Sequence, residues 1–242
     1  MKIYGLIGRN IDYSFSRGYF SEKFSKENLT DHQYQNFDIT SIELVSDILK
    51  NNSVEGLNVT IPYKEEIIPY LDELDGTAEV IGAVNVIQIK NKRSIGFNSD
   101  YYGFYESLKP YLKSYMDKAL ILGTGGASKA ITHALKNLNI DFTYVSRNPD
   151  FSELSYTQLD DDIINSYKLI INCTPLGTHP NIDQSPDIPY ESLTDRHLLY
   201  DLIYNPSTTL FMKKGLEKGA NVVNGLKMLT LQAEKSWEIW NS

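Results

Sequence analysis

The chain has 242 residues, 41% hydrophobic and 22% charged, with a formal net charge of -8 at pH 7, a pI near 5.0 and a mean hydropathy of -0.32. That length allows one large domain or two small ones with a substantial core, and the acidic balance argues against a dedicated nucleic-acid binder, which needs a basic face. No apolar run approaches the roughly 20 residues of a membrane span, and the N-terminus reads as a strand rather than a signal peptide, so a cytoplasmic protein without membrane or nucleic-acid partners is expected.

One cysteine, Cys173, excludes an internal disulfide framework, and the four histidines are too scattered for a metal site. In chain order, residues 3–7, 34–38, 56–59, 84–89 and 94–97 read as strands. Residues 16–26, 41–50 and 64–71 read as helices by apolar spacing and plausible N-caps. A connecting helix is expected over 100–115, broken or bent near Pro110. A second alternating series follows, with strands at 119–122, 142–145, 169–172 and 198–201. Strands separated by helices imply right-handed βαβ units and mostly parallel sheets. The fold class is therefore α/β, in two domains that meet near Tyr101.

Polar residues recur where loops meet these elements. Ser14-Phe15-Ser16 precedes a helix, so one serine can cap it while the other stays free, and two hydroxyls at a helix N-terminus suit a carboxylate. Asn58-Val59-Thr60-Ile61-Pro62-Tyr63-Lys64 ends a strand; Pro62 suits a turn or a first helical position, leaving Thr60 and Lys64 available to a ligand. A lysine so early in a helix opposes the dipole, which suggests a task other than solvation. Asn85 heads an apolar strand and Asp100 ends the next, positions that a turn residue and an N-cap would also fill.

The stretch Leu122-Gly123-Thr124-Gly125-Gly126-Ala127-Ser128 joins an apolar run to a helical segment. Its glycines permit a tight turn and close approach of phosphate oxygens to backbone N–H groups. The third fingerprint position holds Ser128 rather than glycine, and the loop alone also fits a methyl-donor site or a plain strand-to-helix turn. The following strand ends in Ser146-Arg147 where NAD binders place an acid. Arg147 is either a surface arginine or the partner of a 2′-phosphate, and the spacing from the glycine loop favours NADP. Asn172-Cys173-Thr174-Pro175 lies at a strand's carboxyl end, where α/β sheets bind ligands, and Cys173 reads as a small buried residue rather than a nucleophile.

Taken in order, these segments resemble the shikimate dehydrogenase family along nearly the whole chain. The resemblance is carried by Ser14-x-Ser16, Asn58 to Glu65, Gly82-Ala83-Val84-Asn85, Asn98-Ser99-Asp100, Gly123 to Ser128 and Ser146-Arg147. It continues in Asn172 to Gly177, Asp201 to Pro206 and Asn224-Gly225-Leu226-Lys227-Met228-Leu229-x-x-Gln232-Ala233. It implies NADP-dependent interconversion of 3-dehydroshikimate and shikimate, on the route to chorismate and the aromatic amino acids. Under it, Ser14, Ser16 and Tyr204 hold the substrate carboxylate, while Thr60, Asn85 and Gln232 bind ring hydroxyls. Lys64 and Asp100 form the catalytic pair. Gly123, Thr124, Gly125, Gly126 and Ala127 cradle the pyrophosphate, Ser146, Arg147 and Thr174 complete the nucleotide site, and Leu202 and Gly225 line the nicotinamide side.

The implied domains are a mixed, mainly parallel substrate domain over 1–100, completed by a C-terminal helix within 225–242, and a Rossmann NADP domain over 101–224, in a monomer or homodimer. Two departures stand out. Arg17 occupies the place of a common proline, and Asn148-Pro149-Asp150 lacks the second basic residue that often follows the first arginine. A quinate/shikimate dehydrogenase able to use NAD, and a non-catalytic ligand sensor, are the rival readings.

Overall fold

The structure, a computed structural model, describes residues 1–12, 14–150 and 153–242. It divides into two compact units, one of Met1–Tyr102 with Gln232–Ser242 and the other of Gly103–Leu231. Among the described residues, no helix is long and apolar enough to cross a membrane.

The first unit opens with β1 (Lys2–Gly8), α1 (Phe15–Lys26), β2 (His32–Asp38), a 3₁₀ turn at Ile42–Leu44, α2 (Val45–Leu49) and β3 (Val54–Val59). It continues with β4 (Glu73–Leu74), α3 (Gly76–Ile81), β5 (Val86–Lys90), β6 (Arg93–Phe97) and the start of α4 (Asp100–Leu108). The sheet order is β2-β1-β3-β5-β6-β4. β1 pairs parallel with β2 and β3, whereas β5 runs antiparallel to both β3 and β6.

Successive strand residues point to opposite faces, and the burial follows that rule. Ile7, Leu57, Val59 and Ile87 build a core with Tyr63 and Ile67 on one face. Leu6, Tyr34 and Val86 face a second core with Phe20 and Phe24 of α1, Ile239 and Trp240. The last two belong to α8 (Leu226–Trp240). Trp240 lies directly over Gly56, where any Cβ would run into the indole, and its Nε1 donates to the Ile87 carbonyl at 3.1 Å.

The helix expected over 64–71 does not form. Residues 61–67 are consecutive turns, followed by a 3₁₀ turn at Ile68–Tyr70. Pro62 and Pro69 bracket the stretch, leaving too few residues to propagate an α-helix. The helix-like spacing is that of Ile67, Ile68 and Leu71; Ile67 is fully buried, and its N–H donates to the Tyr63 carbonyl at 3.0 Å. The connecting helix breaks near Pro110 as expected, stopping at Leu108 and giving a 3₁₀ turn at Lys109–Tyr111, since the residue before a proline disfavours helical angles.

The second unit contains β7 (Lys118–Leu122), α5 (Gly126–Asn137), β8 (Asp141–Ser146), β9 (Glu153–Ser155), α6 (Asp161–Ser166) and β10 (Leu169–Asn172). β11 (Leu198–Asp201), α7 (Leu210–Glu217) and β12 (Asn221–Val223) follow before α8. Every described strand pair is parallel, and the order is β12-β11-β10-β7-β8-β9. Numbered from β7, that is the 3-2-1-4-5-6 order of a dinucleotide-binding sheet, with the strand order reversing between β7 and β10.

Candidate active site

Asp100 is placed by its neighbours. Gly82, at a φ of 70°, ends α3 in the left-handed conformation and turns the chain toward Asn85. The Asn85 carboxamide is 5% exposed; its Nδ2 donates to Ser99 Oγ at 3.1 Å and its Oδ1 accepts from the Ser99 N–H at 2.6 Å. Asn98 donates to the Ala83 carbonyl at 2.9 Å and accepts from the Tyr101 N–H at 3.3 Å, fixing the first turn of α4. The Asp100 carboxylate thus sits at a helix N-terminus, where the dipole favours negative charge.

There Lys64 Nζ donates to Asp100 Oδ2 at 2.6 Å, and the two side chains are only 17% and 7% exposed. The Lys64 carbonyl accepts from the Val84 N–H at 2.8 Å, so the turn carrying the lysine is tied to the segment carrying Asn85. An ammonium has three protons, and the two not used by Asp100 can serve a ligand oxygen.

Ser14, rather than Ser16, takes the N-cap position of α1, and its side chain makes no capping bond. Thr60 follows β3, its N–H donating to the Ile7 carbonyl at 2.9 Å, and Gln232 lies half-buried in α8. Ser14, Ser16, Thr60, Lys64, Asn85, Asp100 and Gln232 all belong to the first unit; Tyr204, Leu202 and Gly225 belong to the second. Asn58, Ser99 and Ser236, which the sequence reading did not assign to the site, hydrogen-bond its members, and the Tyr34 hydroxyl donates to Asn58.

In the second unit a cavity of about 530 Å³ opens beside the strand-order reversal, walled by Gly123, Thr124, Gly125, Ser146, Arg147 and Thr174 among others. Gly123 has a φ of 98°, which L side chains rarely adopt, and a Cβ on it would meet Thr174 Cγ2 at 3.0 Å. Gly125 caps α5, and a Cβ built on Gly125 or Gly126 meets nothing within 4 Å. The N-terminus of a 12-residue helix therefore has room beside its first residues, as a pyrophosphate requires. Arg147 is exposed at the tip of β8, and Ser146 is engaged in a local turn with Asn148. These residues fit NADP.

Thr174 is held by Asn172, whose Oδ1 accepts from its N–H at 3.0 Å and its Oγ1 at 2.7 Å. Asn172 Nδ2 donates in turn to Asp201 Oδ1 at 3.0 Å. Asp201 is fully buried, and that burial pushes its carboxyl up from 3.8 to about 6. Burial also raises the Cys173 thiol, which keeps it protonated and unreactive. Leu202 and Gly225 lie outside the cavity wall. Gly225 is required because any Cβ there would strike the Leu202 carbonyl, and its N–H donates to the Ile203 carbonyl at 3.0 Å.

Comparison with known proteins agrees with this geometry. A family model described as the shikimate dehydrogenase substrate binding domain matches residues 6–87. A shikimate dehydrogenase (NADP(+)) of Clostridium botulinum is 38% identical over 250 residues, covering 98% of this chain and 95% of the relative. The chain belongs to the shikimate dehydrogenase family. The family's solved structures superpose closely: that of Aquifex aeolicus has a TM-score of 0.88 at 31% identity over 100% of this chain and 92% of its own. The Thermus thermophilus enzyme, solved with NADP(H) and shikimate, has a TM-score of 0.87 at 28% identity, over 99% of this chain and 93% of its own.

Proposed function

We propose that this chain catalyses the reversible, NADP-dependent reduction of 3-dehydroshikimate to shikimate, a step toward chorismate and the aromatic amino acids. The observation that carries the reading to the level of mechanism is the 2.6 Å contact between Lys64 and Asp100, in a chain that belongs to the shikimate dehydrogenase family. Residues 1–100 with 225–242 act as the substrate domain and 101–224 as the NADP domain, in a cytoplasmic enzyme that works as a monomer or homodimer.

Ketone reduction needs a hydride and a proton, and NADPH supplies the hydride when bound. Lys64 donates a hydrogen bond to the ketone oxygen and stabilises the charge that develops there, the preorganised-donor effect. Asp100 fixes the ammonium and accepts from a substrate hydroxyl. As the oxygen becomes a hydroxyl, the proton comes from this pair. Ser14 and Ser16 at the start of α1, with Tyr204, hold the carboxylate. Thr60, Asn85 and Gln232 read the ring hydroxyls. Gly123 to Ala127, with Ser146, Arg147 and Thr174, bind the nucleotide, and Leu202 and Gly225 line its nicotinamide side.

The test is the near-ultraviolet absorbance of NADPH formed from shikimate and NADP, repeated with quinate and with NAD. NADPH formation from shikimate is the expected result; a chain that binds both ligands without turnover overturns the reading. Because Arg147 is followed by Asp150 rather than by a second base, the preference for NADP over NAD is expected to be smaller than two phosphate partners would give.

A further inference from the structure

Asn172 and Asp201 end the neighbouring parallel strands β10 and β11 and are partners in register. Both are fully buried, and a chain of hydrogen bonds runs from them to the wall of the nucleotide cavity. Asp201 Oδ1 accepts from Asn172 Nδ2 at 3.0 Å and from the Ile203 N–H at 3.1 Å, while Oδ2 accepts from the Thr209 hydroxyl at 2.6 Å. Asn172 Oδ1 accepts from both the N–H and the hydroxyl of Thr174, at 3.0 and 2.7 Å. Thr174 Oγ1 accepts from the Leu176 N–H at 3.3 Å, and Thr174, Pro175 and Leu176 all line the cavity.

Asp201 sets the direction of this chain. A carboxamide turned over by half a rotation exchanges an acceptor for donors. Turned over, Asn172 would aim its NH₂ at the Thr174 N–H, donor against donor, and its oxygen at Asp201 Oδ1, acceptor against acceptor. Oδ1 cannot adapt by gaining a proton, because the Ile203 N–H already points at it. A proton on this carboxyl goes to Oδ2, which faces Thr209. Asp201 therefore offers Asn172 an acceptor in either charge state. Asn172 in turn occupies both the N–H and the hydroxyl proton of Thr174, whose Cγ2 lies where a Cβ on Gly123 would meet it at 3.0 Å. A buried carboxyl whose hydrogen-bond partners are all neutral costs stability, so packing alone does not call for an acid at this position.

We propose that Asp201 is a positioning residue of the nucleotide site: its Oδ1 fixes the Asn172 carboxamide, which holds the Thr174–Leu176 wall against which NADP binds. The proposal rests on the assignment of this cavity to NADP. Asp201 is not part of the cavity wall. What it holds is the same before and during hydride transfer, so it acts on the affinity for the nucleotide and not on kcat.

Asp201→Leu removes the acceptor and keeps much of the volume, whereas Asp201→Asn keeps an oxygen toward Asn172 and turns its NH₂ to Thr209. In a fluorescence titration, NADPH should bind about 10-fold more weakly to Asp201→Leu, the scale of one lost buried hydrogen bond, and within about 2-fold of the wild type to Asp201→Asn. In both, kcat at saturating NADP and KM for shikimate should stay put, and a thermal melt verifies the fold. If Asp201→Leu does not fold, Asn172→Asp decides. At low pH one proton shared by the two carboxyls restores the hydrogen bond between positions 172 and 201; as pH rises that proton leaves and the charges repel. The affinity of Asn172→Asp for NADPH, relative to the wild type at the same pH, should therefore fall between about pH 6 and about pH 9. The Cys173 thiol and the Tyr190 phenol, which feel the Asp201 charge, stay protonated there because burial raises both. Unchanged NADPH affinity in Asp201→Leu, an equal loss in Asp201→Leu and Asp201→Asn, or a pH-independent ratio for Asn172→Asp overturns the proposal. The titration needs no turnover. A wild type that binds NADPH without oxidising shikimate overturns the proposed function alone; an active wild type whose affinity Asp201→Leu leaves unchanged overturns only the role of Asp201.

Discussion

The candidate substrate residues of the first unit and the candidate nucleotide residues of the second are made from different parts of the polypeptide. In the first, side chains position one another: Lys64 on Asp100, Asn85 on Ser99, Asn58 on Tyr34. In the second, backbone does most of the work, through the left-handed Gly123, the open Gly125 and the first turn of α5. The difference follows from the ligands implied. A ring with several hydroxyls is told apart from its relatives by separately aimed donors and acceptors, whereas a pyrophosphate needs only N–H groups without intervening Cβ atoms. The first site should therefore be damaged by shortening side chains, and the second by adding atoms to the main chain.

The largest expected effect is on the first site. Lys64→Ala should lower kcat by about 10²-fold or more, the scale of general acid–base catalysis, with a much smaller change in KM for shikimate; normal turnover would remove the lysine from the chemistry.

Asp201 probes the opposite case, a buried carboxyl in the second unit whose partners are neutral: the Asn172 amide, the Thr209 hydroxyl and the Ile203 N–H. Its folded-state value of about 6 lies above the ordinary 3.8, so between those values the folded chain retains a proton that the unfolded chain releases. Its contribution is full below the ordinary value and is lost as pH rises through the folded one. Relative to Asp201→Asn, the wild type should lose up to about 3 kcal/mol of unfolding free energy between about pH 4 and about pH 7, read from urea titrations; parallel curves would refute the assignment.

Gly123→Val tests the backbone side directly. A β-branched residue forced to that φ, with its Cβ against Thr174, should weaken NADPH binding about 10-fold or more in a fluorescence titration, from 1–3 kcal/mol of strain. The shikimate-contacting groups of the first unit should be unaffected. Arg147→Ala is expected to be milder, because the guanidinium is exposed: KM for NADP should rise about 10-fold, and KM for NAD should stay put. An equal rise for both would mean that Arg147 does not read the 2′-phosphate.

The second unit was the more legible of the two. Its central strands β7, β10 and β11 are buried on both faces and read as apolar runs, and the glycines sit where the first strand meets its helix, so local pattern carried the topology. β4, β9 and β12 escaped because two or three residues show no period. In the first unit the Ile67–Leu71 spacing imitated a helix that Pro69 interrupts. The pairing of Lys64 with Asp100 was available only through family resemblance, since nothing in either residue's neighbourhood points to the other. Tyr34, Asn58 and Ser236 were invisible as a group for a related reason: each is an ordinary strand or helix residue until the sheet and α8 bring them together.

Trp240 and Ile239 complete the apolar face formed by Tyr4, Phe20 and Phe24. Those three are synthesised long before the helix that covers them, and the whole Rossmann unit is made in between. Throughout translation the nascent sheet therefore carries a sticky surface whose natural lid does not yet exist, while domains upstream tend to fold as they emerge. A circular permutant that made α8 first would relieve that wait and should depend less on chaperones to reach its native state.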